Sequence, residues 1–147
     1  MVPLELAIVR EINGKPHIHL WYRDDPNYEG EHIPGGYKAR GEKIHDTIRR
    51  VLHKETGMEL VSYEFIRMFN TLPETGWVPD DEVNLLYLVR ADGELSQGAF
   101  HPLDAVPENT LEDHKYLADS VRGHFMRKDL MKRGELRYDG MVVAPEW

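Results

Sequence analysis

The sequence contains no cysteine. A disulfide scaffold, a zinc ribbon and a thiol nucleophile are thereby excluded. Basic residues are few beside acidic ones: 18 Lys and Arg against 26 Asp and Glu, a formal net charge of −8. Broad binding to nucleic acid or to an anionic membrane is not expected of such a chain, because that attraction depends on clustered Lys and Arg. A small anionic ligand is compatible with it, held by one local basic pocket or by a divalent cation. Long apolar runs are missing too; none approaches the ~18 residues of a membrane span. There is no internal repeat and no low-complexity segment. Met1-Val2-Pro3-Leu4-Glu5 does not read as a signal peptide, and a cytoplasmic location is the expectation.

What is present suits one globular domain over residues 1–147, with 41% hydrophobic and 30% charged residues. Leu6 to Ile12 and Pro16 to Tyr22 read as a hairpin about the turn pair Asn13-Gly14. His17 and His19 share a face of its second strand and are expected to be exposed. Residues 24–36, crowded with Asp, Pro and Gly, read as loop. Residues 42–56 read as a helix with Ile44, Ile48, Val51 and Leu52 on one stripe. Asp46 and Arg50 form an i,i+4 pair on it, and Gly57 stands where a left-handed cap is wanted. Residues 60–70 read as strand, Thr71 to Glu82 as a polar loop, and Val83 to Val89 as a buried strand. Gly98 to Pro107 gives a short strand and turn. Thr110-Leu111-Glu112-Asp113 resembles a capping box opening a helix over about 110–133, carried by Leu117, Val121 and Phe125.

The segment that carries chemistry runs from Gly35 to Met58: loop, glycine pair, helix, glycine cap. A glycine-rich entry lets backbone approach a phosphate, and a helix start favours negative charge. Gly36 is followed after five residues by Glu42, and after seven more by Arg50; Leu52, Glu55, Gly57 and Met58 close the run.

That spacing resembles the Nudix box, which reads Gly, five residues, Glu, seven residues, Arg-Glu-aliphatic, any residue, Glu-Glu, any residue, Gly-aliphatic. Seven positions fall in register without a gap. Glu31 to Gly36 resembles the family's strand entering the box, with His32 where Trp is common. The acidic run Asp80-Asp81-Glu82 and the segment Phe100 to Pro107 are similar to later family elements, so the likeness covers roughly residues 5–125. It implies an α/β fold, an α/β/α sandwich with a mixed β-sheet. It also implies hydrolysis of a nucleoside diphosphate linked to another moiety, with Mg²⁺ or Mn²⁺ as cofactor.

Two positions depart from the family pattern. Val51 and Lys54 stand where it has glutamates. On a helix 51, 54 and 55 share a face, and in standard members that face is a carboxylate cluster holding hard cations. Val51 cannot ligate, and Lys54 brings a cation instead. Glu55 remains, and one Mg²⁺ on Glu55, phosphate oxygens and water is feasible; alternatively Lys54 replaces part of the metal's charge. The GDP-mannose mannosyl hydrolase branch is similar in the positions it keeps and loses. There attack falls on the sugar carbon, one metal neutralises the diphosphate, and a histidine outside the box is the base.

The resemblance therefore implies Glu55 as metal ligand and catalytic residue, and Glu42 as a further ligand or a helix-start residue. Arg50 and Gly57 are structural parts of the box, and Gly36 shapes the phosphate loop. His101 and His114 are the candidate bases, since histidine titrates near neutrality. Arg23, Arg40 and Lys54 are candidate diphosphate contacts, and Trp77 is a candidate stacking surface for a base. The leading expectation is a hydrolase of nucleotide sugars; a small-molecule nucleotide derivative is the expected partner, and a homodimer is allowed. The alternative is a non-catalytic domain of the same fold that binds a nucleotide or a partner protein. A nucleoside triphosphatase with full metal chemistry is disfavoured by Val51 and Lys54.

Overall fold

The structure is a computed structural model that describes residues 2–71 and 82–134. Its elements in chain order are β1 (Val2–Ile12), β2 (Lys15–Arg23), β3 (Gly30–His32), β4 (Gly35–Lys38), α1 (Ile44–Thr56), β5 (Glu59–Thr71), β6 (Glu82–Asp92), β7 (Ala99–Pro102) and α2 (Glu112–Lys132). The strands form one mixed sheet of order β3-β2-β1-β6-β5, with β4 paired to β1 and β7 to β2. The β1–β6 pair is parallel, in register from Leu4↔Leu85 to Ile8↔Val89, and the other strand pairs are antiparallel.

Alternation along β1 builds two cores from one strand. Leu4, Leu6 and Ile8 pack with Ile48, Val51 and Leu52 of α1 and with Tyr87 and Val89. Ala7 and Val9 turn to the other face and pack with Leu86, Leu88 and, from α2, Leu117, Ala118 and Val121. One helix covers each face, the α/β/α sandwich expected from the resemblance. Each fully buried Leu or Ile contributes on the order of 2 kcal/mol, so the two cores together hold the sheet between the helices. Among the described residues no helix is long and apolar enough to cross a membrane.

Three local expectations are corrected. The segment 24–36 is not all loop: Gly30–His32 pairs with Trp21–Arg23, and Gly35 and Gly36 at the start of β4 pair with Glu5 and Leu4. Pro34 separates these short strands, and its carbonyl accepts the Leu6 N–H at 2.8 Å. The α2 start is not a capping box. Its N-cap is Leu111, without a side-chain cap. Asn109 and Leu111 instead bond to Glu31 through their backbones at 3.1 and 3.0 Å, which keeps this stretch from turning helical earlier. His19 is fully buried, not exposed; its Nε2–H donates to the Gln97 carbonyl at 2.9 Å.

The same strand arrangement opens the molecule. One edge of β1 is used twice: Val9 to Ile12 pair with β2, whereas Val2 to Glu5 pair with β4. Beyond Ile18, β2 leaves β1 and continues to Arg23 against β7 and β3. The parting of β2 from β1 leaves a cavity.

Candidate functional site

The cavity, about 630 Å³, is lined by residues from β1, β2, β3, β4, β6 and the facing parts of both helices. That volume is in the range of small-molecule sites. Glu5, Glu55 and Glu82 bring three carboxylates to it; Trp21, Tyr28, His32 and His114 bring aromatic rings; Gly35 and Gly36 bring backbone.

Gly36 lies hard against α1. A Cβ there would meet Val51 Cγ2 at 2.9 Å, so only glycine admits this approach. Val51 is 2% exposed and belongs to the core. Its side chain is therefore packing and does not line the cavity. Lys54 is exposed and does not line the cavity. Glu55 is half-buried and does line it. Its carboxylate has no hydrogen-bond or ion-pair partner among the described residues. Burial pushes that carboxyl up from its ordinary value, against a smaller opposing effect of Lys54.

Glu42 is used differently. Arg50 donates to it from Nε and Nη2 at 2.8 and 2.9 Å; the Ala39 N–H and Thr47 hydroxyl donate at 2.9 Å each. These donors, Arg50 first, bring its carboxyl down to about 2. Arg50 also donates to the Tyr37 carbonyl at 2.8 Å, tying the entry strand to α1. The expected Asp46–Arg50 pair is not the one formed, because Glu42 in the turn before the helix offers both oxygens to the guanidinium fork. Glu42 is not among the cavity-lining residues. Gly57 closes α1 at φ 74°, its N–H bonded to the His53 carbonyl at 2.8 Å, the left-handed cap expected of it.

Glu5 and Glu82 escaped the sequence reading. The signal available was Glu5 itself, a lone carboxylate inside the apolar run Leu4 to Val9. Its carboxyl is pushed well up, first by burial and then by Asp113, Glu55 and Glu82. Glu82 accepts from the Tyr37 hydroxyl at 2.8 Å. The three carboxylates supply the hard oxygens that Mg²⁺ prefers. Among the described residues no three His, Asp or Glu stand close enough to form a complete metal cage. The donor set fits a cation that takes its remaining ligands from a substrate and water.

Of the candidate bases, His114 lines the cavity and His101, on β7, does not. The Ile33 N–H donates to His114 Nδ1 at 2.9 Å, and His32 Nδ1–H donates to the Ile33 carbonyl at 3.1 Å. Burial lowers both rings' basicity, His32 to about 4 with help from His114. His32 also stands edge-on to Trp21 at 4.4 Å between centroids. Of the candidate phosphate contacts, Arg23 lines the cavity beside Asp25, at 3.5 Å, and Arg40 is exposed outside it. Trp77 lies outside the described residues.

No protein-family model and no curated protein matches the chain. Solved structures do. A MutT NUDIX hydrolase from Burkholderia pseudomallei is similar at TM-score 0.69 and 21% identity, over 82% of this chain and 96% of that one. The NUDIX domain of Shewanella oneidensis NrtR, complexed with ADP ribose, is similar at TM-score 0.67 and 16% identity, over 85% and 88%. Shewanella oneidensis NrtR complexed with a 27mer DNA is similar at TM-score 0.70 and 16% identity, over 86% of this chain and 63% of that one. Likeness at this level of identity establishes the fold: the chain has the Nudix fold.

Proposed function

We propose that this protein is a Nudix-type hydrolase of a nucleoside diphosphate linked to a second moiety, with a nucleotide sugar as the favoured class. One observation carries the reading. Glu55, retained in register in the box, brings a carboxylate with no hydrogen-bond or ion-pair partner among the described residues to the same cavity as the Gly35-Gly36 backbone and two further carboxylates. An unsatisfied, half-buried carboxylate is costly unless a ligand or cation completes it.

In this reading Glu55 holds one Mg²⁺ or Mn²⁺, with Glu5 and Glu82 available from the facing strands. The metal, when bound, neutralises the diphosphate. Gly36 lets the phosphates approach the entry to α1, and Arg23 meets the ligand from β2. His114 acts as a hydrogen-bond donor, because its Nδ1 lone pair is spent on Ile33. His101 and Lys54 stand outside the cavity and are assigned no contact there. Val51 is buried in the core and offers no ligand, which favours a mechanism needing few box carboxylates, such as attack at the sugar carbon.

The test is product analysis on nucleotide sugars, ADP-ribose and nucleoside di- and triphosphates with Mg²⁺. Free sugar plus nucleoside diphosphate is the expected outcome. Two monophosphates would keep the hydrolase and move attack to phosphorus. The second reading, a ligand-binding domain without turnover, is supported by the ADP-ribose complex of the NrtR domain. It predicts no products across the panel and ligand affinity that survives chelation.

A further inference from the structure

The two buried histidines of the cavity are held by one residue. A carbonyl has no proton to give, so the His32 Nδ1 that faces the Ile33 carbonyl at 3.1 Å must carry the hydrogen. An amide has no lone pair to offer, so the His114 Nδ1 that faces the Ile33 N–H at 2.9 Å must be bare. In a neutral imidazole the second nitrogen takes the opposite role. His32 Nε2 is then an acceptor and His114 Nε2 carries a hydrogen.

The bare Nδ1 that accepts from the Ile33 N–H makes His114 a neutral ring by geometry. Each ring is 6% exposed, and burial disfavours the imidazolium. Asp113 is the nearest acid to His114, at 3.9 Å from Nε2, beyond hydrogen-bond length, and the Asp113 carboxylate accepts from the Tyr28 hydroxyl instead. Neither Nε2 has a hydrogen-bond partner among the described residues. The ring centres are 5.8 Å apart, close enough for hydrogen bonds from the two rings to converge on adjacent groups of one small molecule. Beside them the buried Trp21 indole N–H has no hydrogen-bond partner among the described residues.

We propose that the Ile33 backbone fixes His32 and His114 as opposite tautomers, making a donor–acceptor pair that reads an uncharged ligand group with an acceptor beside a donor hydrogen. A phosphate has no hydrogen to satisfy His32 when fully ionised and meets no cation on either ring, so this part of the cavity selects against it. A nucleobase edge or a ribose diol carries the required pair of groups. The proposal rests on the cavity being the ligand site of the proposed hydrolase, and it names what selects the nucleoside portion.

Nitrogen NMR of the histidine rings in the free protein at neutral pH reads the tautomers directly. The expected result is His32 protonated on Nδ1 and His114 on Nε2. The same tautomer on both rings, or a charged ring, overturns the proposal. Titration with adenosine, uridine, dideoxyadenosine and methyl ribofuranoside then reads the ligand, without phosphate or metal. Both Nε2 resonances should shift with a nucleoside. Retention with dideoxyadenosine places the base edge at the pair; loss there and a shift with methyl ribofuranoside place the diol. No shift with any probe overturns the recognition. His32→Phe and His114→Phe keep the ring packing and should each weaken nucleoside binding by about tenfold. Unchanged affinity in both overturns the proposal; should either variant fail to fold, the wild-type ring shifts carry the test alone. Nucleoside binding through the pair in a protein that turns over no substrate would sink the hydrolase reading and leave this one standing.

Discussion

Glu42 and Glu55 belong to the same short segment, yet the structure treats them oppositely. Glu42 receives four hydrogen bonds, and its carboxyl is brought down to about 2. Glu55 receives none at its carboxylate among the described residues, and burial pushes it up. A carboxylate whose lone pairs are filled by its own chain is a structural bracket, here between the turn at Ala39 and Arg50 of α1. A carboxylate left bare beside a cavity is, in the proposed reading, the one that meets a cation or ligand. Motif spacing cannot make this distinction, because both residues fall equally well in register.

The largest expected effect separates the two. Glu55→Gln should lower turnover at least about a hundredfold, as loss of a metal-holding carboxylate does. Its melting temperature should hold or rise, because the replaced carboxyl was disfavoured by burial. Glu42→Gln should do the reverse: it weakens the bracket to Arg50, lowers the melting temperature and costs less turnover. Steady-state rates and thermal melts of both variants decide the matter. If Glu42→Gln abolished turnover at unchanged stability, the division between bracket and ligand would be wrong.

Val51 sharpens the comparison from the other side. Val51→Glu inserts a carboxylate at a 2% exposed position packed on Gly36. A buried unpaired charge of this kind costs about 3 kcal/mol. For a domain of this size that is roughly 6–12 °C in melting temperature. Mg²⁺ should recover part of the loss if the new carboxylate reaches the cation that the proposed function puts on Glu55. Melts with and without Mg²⁺ read this. A variant as stable as the wild type without metal would show that position 51 has room and water the packing denies.

The architecture was legible where periodicity was strong. The apolar stripe Ile44, Ile48, Val51 and Leu52 does face the sheet, and the hairpin does turn at Asn13-Gly14. Short strands were not legible. Gly30–His32 and Gly35–Lys38 have too few residues to show alternation, and they exist because β1 and β2 offer them free edges. The site was legible only in its sequence-local half. Gly36, Arg50, Glu55 and Gly57 lie in one motif, and their mutual geometry follows from one helix and the turn before it. Glu5, Glu82 and His32 reach the cavity by strand pairing and chain crossover, which no local pattern encodes. His19 reads as exposed from alternation with Ile18 and Leu20, yet Gln97 supplies a carbonyl that makes its burial tolerable.

The smallest expected effect concerns Glu5, the carboxylate that faces Glu55 across the cavity. Burial, then Asp113, Glu55 and Glu82, raise its folded-state value well above the ordinary 4.5. A raised folded value means that folding favours the protonated carboxyl. Its contribution to stability is complete below pH 4.5 and is lost as pH rises through the raised value. Glu5→Gln removes that loss. The variant should melt higher than the wild type at neutral pH, and the two curves should converge below pH 4.5. Glu42 runs the other way, its contribution present above 4.5 and lost as pH falls toward about 2. Saturating Mg²⁺ should narrow the neutral-pH gap between wild type and Glu5→Gln, since a cation among the carboxylates offsets their repulsion. A gap that Mg²⁺ leaves untouched would place the cation away from Glu5 and leave Glu55 to hold it with the substrate alone.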